Sequence, residues 1–158
     1  NGKIFLSYTH YFYKMKLLIS EVLQKVSNAK TKAQKIKILQ ENNTPALRSL
    51  LIVNYDESVV SLLPPGDVPY TPNDAPAGTE HTVLEHEYRK LYLFFKGGSN
   101  SLQQSKRESL FIQMLEGLQE TEAQVLILAK DKKLQKKYKI TKACVEGAFP
   151  TIQWGGRS

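Results

Sequence analysis

The sequence is nearly without cysteine. Cys144 stands alone, which excludes an internal disulfide and any zinc site built on several thiolates, and suits a reducing compartment. No apolar run approaches the ~18 residues that span a bilayer, so no membrane contact is expected. The opening "NGKIFLSYTHYFYKM" carries too many Tyr and His residues for a signal-peptide core. Arginine is scarce as well: Arg48, Arg89, Arg107 and Arg157 are all there are, few for a reader of base edges. Walker-type phosphate loops, dinucleotide fingerprints and the G-x-S-x-G nucleophile turn are missing. "KGGSNS" has the glycines of a phosphate loop but neither the following lysine nor a preceding strand, and a helix stop accounts for Gly97-Gly98 better. No cofactor and no catalytic residue is assigned.

What is present describes one helical domain. A chain of 158 residues with 41% hydrophobic and 23% charged residues has the size and composition to bury one core. Leu18, Val22 and Val26, with Ile19 and Leu23, fall at helical spacing from Lys16 to Asn28; Ala33, Ile36 and Leu39 mark a second, shorter helix. Thr44 is placed to cap a third, with Pro45 at its first position and Leu47, Leu50, Leu51 and Asn54 on one face. Asp56 is placed to cap a further turn through "ESVVSLL", stopped by Pro64-Pro65. Three capping boxes are predicted, Thr82 with Glu85, Ser105 with Glu108 and Thr121 with Gln124. They introduce helices over "VLEHEYRKLYLFFK", "KRESLFIQMLEGL" and "EAQVLILAKDKKL", and a last short helix follows Thr141.

The expected fold is therefore all-α: a single compact domain of about seven short helices, with a long Pro-rich strap between its two halves. Five of the seven prolines lie in "LLPPGDVPYTPNDAPAGTEHT". Reading it as a linker would leave two halves with marginal cores. A stiff, extended segment crossing the surface, anchored by Val68 and Tyr70, fits better. The expected organisation is residues 1–14 as a non-native or upstream extension, 15–150 as the domain with 64–79 as its Pro-rich connection, and 151–158 as a flexible tail.

Charge is concentrated. Residues 130–142, "KDKKLQKKYKITK", hold seven lysines against one aspartate, and residues 25–37 hold five lysines and no acid. Together they carry more positive charge than the chain's net +7, so the remainder is net acidic. The first stretch offers Lys130, Lys132, Lys133, Lys136, Lys137, Lys139 and Lys142, with Tyr138 as a stacking ring. The second offers Lys25, Lys30, Lys32, Lys35 and Lys37. Such clusters are often solvated helix faces; they also neutralise nucleic-acid phosphates or meet an acidic protein partner. Other constellations are weaker. His81, Glu85 and His86 fit neither zinc-helix spacing and read as surface or capping groups. Cys144 reads as a buried, inert thiol. The stripe Tyr88, Leu91, Tyr92 and Phe95 reads as core rather than as an aromatic ligand platform.

The pieces "VPY" at 68–70, "EHT" at 80–82, "RKLYLFFKGG" at 89–98, "KRESLFIQMLEGL" at 106–118, "EAQVLI" at 122–127 and "EGAFP" at 146–150 resemble a family of small proteins of unknown function from T4-like phages of marine bacteria, especially cyanophages. The resemblance runs from about Met15 to Pro150 and transfers no catalytic residue. It implies expression in the cytoplasm of an infected host bacterium. The functions expected are a phage accessory or regulatory protein acting by binding, a structural or assembly protein of the virion, or an enzyme whose site the sequence does not reveal.

Overall fold

The computed structural model describes residues 17–73 and 82–158. The expected extension at 1–14 and His81 of the histidine cluster lie outside the described residues. Among the described residues seven α-helices form: α1 (Ile19–Asn28), α2 (Lys32–Glu41), α3 (Pro45–Tyr55), α4 (Leu84–Glu87), α5 (Gln104–Gly117), α6 (Glu120–Lys130) and α7 (Lys142–Ala148), with 3₁₀ turns at Tyr88–Phe94 and Leu134–Lys136. No strand forms among the described residues, and an isolated bridge pairs Ser61 with Phe95. The fold is all-α and a single domain, as predicted.

The core is organised around α6. Ala123, Val125, Leu126, Ile127 and Ala129 are all buried there, and α1, α3 and α5 pack on it. A helix buried nearly all round needs an apolar sequence, which "AQVLILA" provides. In α3 the Thr44 hydroxyl accepts the Leu47 N–H at 3.1 Å, Pro45 follows it, and the predicted face of Leu47, Leu50, Leu51 and Asn54 is buried. Helix α2 packs between α1 and α7, away from the centre.

The three predicted capping boxes do not form. Helix α4 begins at Leu84, whose N–H donates to Glu122 Oε1 at 3.0 Å, while Glu85 turns away to accept from the Thr44 hydroxyl. In helix α5 Gln103 holds the N-cap position without a side-chain bond, and Ser105 lies exposed within the first turn. Helix α6 starts one residue before Thr121, with the Gln119 side chain accepting the Thr121 N–H. At α4 the distant Glu122 carboxylate takes the place of a local hydroxyl, because an ionised acceptor makes a stronger bond than a neutral one.

Other segments also depart from expectation. "VLEHEYRKLYLFF" makes one α-turn and then 3₁₀ turns, a geometry that aligns residues three apart and points both Leu91 and Phe94 inward; Phe94 meets Phe111 edge-on at 5.0 Å. Tyr92, expected in that buried stripe, is 55% exposed. The turn through "ESVVSLL" is not helical. Leu62 N–H donates to Phe94 O at 2.9 Å and Lys96 N–H to Val60 O at 2.8 Å, so its backbone is satisfied across the fold. At the stop that follows, Gly97 has φ +92°, and a Cβ at Gly98 would lie 2.0 Å from the Tyr92 carbonyl oxygen. Helix α6 ends at Lys130 rather than continuing to Leu134, because Lys132 adopts a left-handed φ of 59°. Its ammonium then caps the end of α3, donating to Val53 O at 2.8 Å and Asp56 O at 2.6 Å.

The Pro-rich segment is strapped across α6 as far as the description follows it, to residue 73. Lys130 Nζ donates to Pro64 O and Gly66 O, Asp131 accepts the Gly66 N–H, Gln124 donates to the Tyr70 hydroxyl, and Glu116 on α5 accepts the Thr71 N–H. Val68 and Tyr70 pack against the core. Residues 151–158 are not the free tail that their composition suggests. Ile152 and Trp154 pack on the core, and Gly155 N–H and Arg157 Nε both reach Asp56 Oδ2, at 3.0 and 2.8 Å. A carboxylate only 2% exposed needs such donors, and this segment supplies them.

Candidate functional site

The two lysine-rich stretches come together in space. Thr31 Oγ1 accepts Gln34 N–H at 3.1 Å and Gln34 Oε1 accepts back from Thr31 N–H at 3.3 Å, a capping box that sets the start of α2 and places Lys30 and Lys32 beside it. After the Leu134–Lys136 turn the chain runs past the corner between α1 and α2. Lys139 N–H donates to Ser27 Oγ at 2.8 Å, Lys35 Nζ donates to Lys139 O at 2.6 Å, and the Tyr55 hydroxyl donates to Ile140 O at 2.6 Å. Lys35 and Lys139 thereby join the stretches.

An open hollow lies on either side of that junction. One, of about 430 Å³, is lined by Lys32, Lys35, Gln135, Tyr138, Lys139, Ile140, Thr141 and Cys144. The other, of about 620 Å³, is lined by Ser27, Asn28, Ala29, Lys30, Lys35 and Lys139. Lys35 and Lys139 belong to both, so the two hollows adjoin, and we refer to their shared lysine-rimmed side as the track. Among the described residues no carboxylate pairs with the ammonium of Lys30, Lys32, Lys139 or Lys142. Cys144 is a buried free thiol in this wall, its N–H donating to Thr141 Oγ1 at 3.2 Å. Burial pushes the hydroxyls of Tyr55 and Tyr138 up, Tyr55 with a further rise from Cys144, so both stay protonated.

Several residues assigned to the site from sequence have other occupations. Lys130 is buried at 3% exposure, and its ammonium is divided between Asp131 and the carbonyls of Pro64 and Gly66. Lys132 caps α3; partial burial lowers its pKa, against the opposing charges of Asp56 and Glu57. Tyr138 is 2% exposed and offers no stacking face, because its ring fills the core under the lysine wall. Lys37 pairs with Glu41 at 3.9 Å, and Lys25, Lys133, Lys136 and Lys137 are exposed but line neither hollow. Of the arginines, Arg107 is buried and donates to Gln104 and to the carbonyls of Leu93, Ser99 and Leu102.

Sequence reasoning missed Trp154. Lys142 Nζ lies over its ring, 4.9 Å from the centroid, one residue along from the hollow-lining Thr141. Nothing local marks that placement. The Thr31–Gln34 spacing, by contrast, is a legible capping signal. Among the described residues no three His, Cys, Asp or Glu side chains gather as metal ligands, and no helix is long and apolar enough to cross a membrane.

Fold and face together define a small all-α, single-domain protein with a lysine-rimmed track on one side. A family model covers residues 22–136, and the chain belongs to that family, DUF6433, a family of unknown function. The matched region runs from α1 through the Leu134–Lys136 turn, short of Lys139, Lys142 and Trp154. No curated protein and no solved structure matches the chain.

Proposed function

We propose that this protein acts by binding nucleic acid along the track formed by Lys30, Lys32, Lys35 and Lys139, with Lys142 next in sequence to the hollow-lining Thr141, as an accessory or regulatory protein of a T4-like phage in the host bacterial cytoplasm. The observation that carries this reading is the junction at Lys35 and Lys139, where two stretches 104 residues apart present their charge together. The ammonium groups of Lys30, Lys32, Lys139 and Lys142, which no carboxylate pairs among the described residues, are available to phosphates, and release of counterions drives such binding. An acidic protein partner is less well served. Protein interfaces are built around an apolar centre, whereas Val60 and Tyr92 are the exposed large hydrophobics among the described residues. The same scarcity weighs against a virion assembly role.

Titration of fluorescent DNA and RNA at increasing salt tests the reading. With roughly four free ammonium groups engaged, log K against log[salt] should slope at about −3 to −4. Lys32→Glu with Lys139→Glu should weaken binding at least ~10-fold, one decade being about 1.4 kcal/mol. Absence of binding at low ionic strength sinks the proposal. A partner retained from infected cells after nuclease treatment, and lost in the same double variant, would replace nucleic acid with protein.

A further inference from the structure

We infer that the ligand of the lysine track is single-stranded, and that Trp154 is the surface on which one of its bases stacks; this rests on the nucleic-acid reading above. Trp154 is packed against the core yet only half-buried. The segment carrying it is held by the bonds from Gly155 and Arg157 to Asp56 and from Arg157 N–H to Ser58 Oγ at 3.0 Å. The ring is therefore fixed from both sides in sequence: Ile152 packs on the core before it, and the Asp56 anchor follows it.

Its neighbour explains how a base would reach it. In the free protein the Lys142 ammonium lies over the ring at 4.9 Å from the centroid, with no carboxylate pairing it among the described residues. A cation over an indole is held by only a modest attraction where solvent reaches it. A phosphate arriving from the track attracts the ammonium more strongly, and the vacated ring is open to the base attached to that phosphate. Bases in a duplex are already stacked and paired, so only a single strand can make this exchange. The track supplies the backbone contacts and the indole supplies one base contact, without hydrogen bonds to a base edge. Binding is thus tolerant of sequence but selective for unpaired strands.

Trp154 is the only tryptophan in the chain, so its emission reports the event directly. Oligo(dT), oligo(U), a duplex of the same length and inorganic polyphosphate, a polyanion without bases, are titrated while fluorescence and anisotropy are followed. The expected result is strong quenching by both single strands, beyond any change caused by polyphosphate. Single strands should also bind more tightly than duplex at equal salt. Trp154→Leu should lose about tenfold in affinity for single strands and nothing for polyphosphate, while Trp154→Phe restores most of the loss. Should single strands bind without that quench, the inference is overturned and the basic-track reading stands. If neither oligonucleotides nor polyphosphate bind, both fall. The wild-type quench needs no variant, so a Trp154→Leu protein that fails to fold leaves the decision intact.

Discussion

Glu122 shows how much one side chain organises. It is fully buried at the start of α6, and its two oxygens accept Ile19 N–H and Leu84 N–H, at 2.9 and 3.0 Å. These are the first amides of α1 and α4, groups with no partner inside their own helices, at the positive ends of the helix dipoles. Glu122→Ala should cost about 3 kcal/mol, since charge-assisted bonds are lost and buried donors are left unsatisfied; urea unfolding would read this as a lower midpoint at an unchanged slope. Asp56 works at the other side of the fold. Burial alone would raise its pKa, but the hydrogen bonds from Ser58, Gly155 and Arg157 more than offset this and hold it well below the usual carboxylate range. A depressed folded pKa contributes stability that is fully present above the unfolded value of ~3.9 and is lost as pH falls from there toward the folded value. Asp56→Asn should therefore be less stable than wild type at neutral pH, and the gap should close progressively below about pH 4. Thermal melts at a series of pH values measure it, and a constant gap would refute the assignment.

At the scale of elements, local signals held at α3 and α7, although Thr44 also has a distant partner, its hydroxyl donating to Glu85. Thr44 and Thr141 cap α3 and α7 through Leu47 N–H and Cys144 N–H, as their sequence spacing indicates. They failed at α4, α5 and α6: the distant Glu122 takes the Leu84 amide at α4, Gln103 holds the N-cap position of α5 with no side-chain bond, and the neighbouring Gln119 accepts the Thr121 amide at α6. Glu122 lies 38 residues from Leu84, and no windowed pattern contains that distance. The Pro-rich strap is an intermediate case. Stiffness and the two apolar residues are visible in "VPY", but the partners that fasten it, Lys130, Gln124 and Glu116, are not. Val68→Ala with Tyr70→Ala should lower the melting temperature by several degrees, about 1–2 kcal/mol spread over a domain of this size. An unchanged melting temperature would mean that the segment does not hold the two halves together.

For the whole molecule, the lysines divide into two populations that respond differently to substitution. Lys130→Met should destabilise the fold by about 2 kcal/mol, because the carbonyls of Pro64 and Gly66 and the Asp131 carboxylate lose their donor. Its effect on nucleic-acid affinity, measured well below its melting temperature, should be small. Lys32→Glu with Lys139→Glu should do the opposite, weakening binding while leaving the melt nearly unchanged. Equal effects on affinity from both variants would show that burial does not sort these residues. By itself the sequence determined the all-α class, the apolar stripes of α1 and α3, the apolar run of α6, and the presence of two dense lysine stretches, because helical periodicity, hydrophobicity and charge density are local properties of a chain. Only the tertiary structure decided that those stretches adjoin, that Lys130 and Lys132 serve carbonyls 64 to 79 residues away, and that Trp154 stands beside Lys142. The role of a long flexible cation depends on which oxygen atoms lie within its reach, and that is settled by packing rather than by neighbours in sequence.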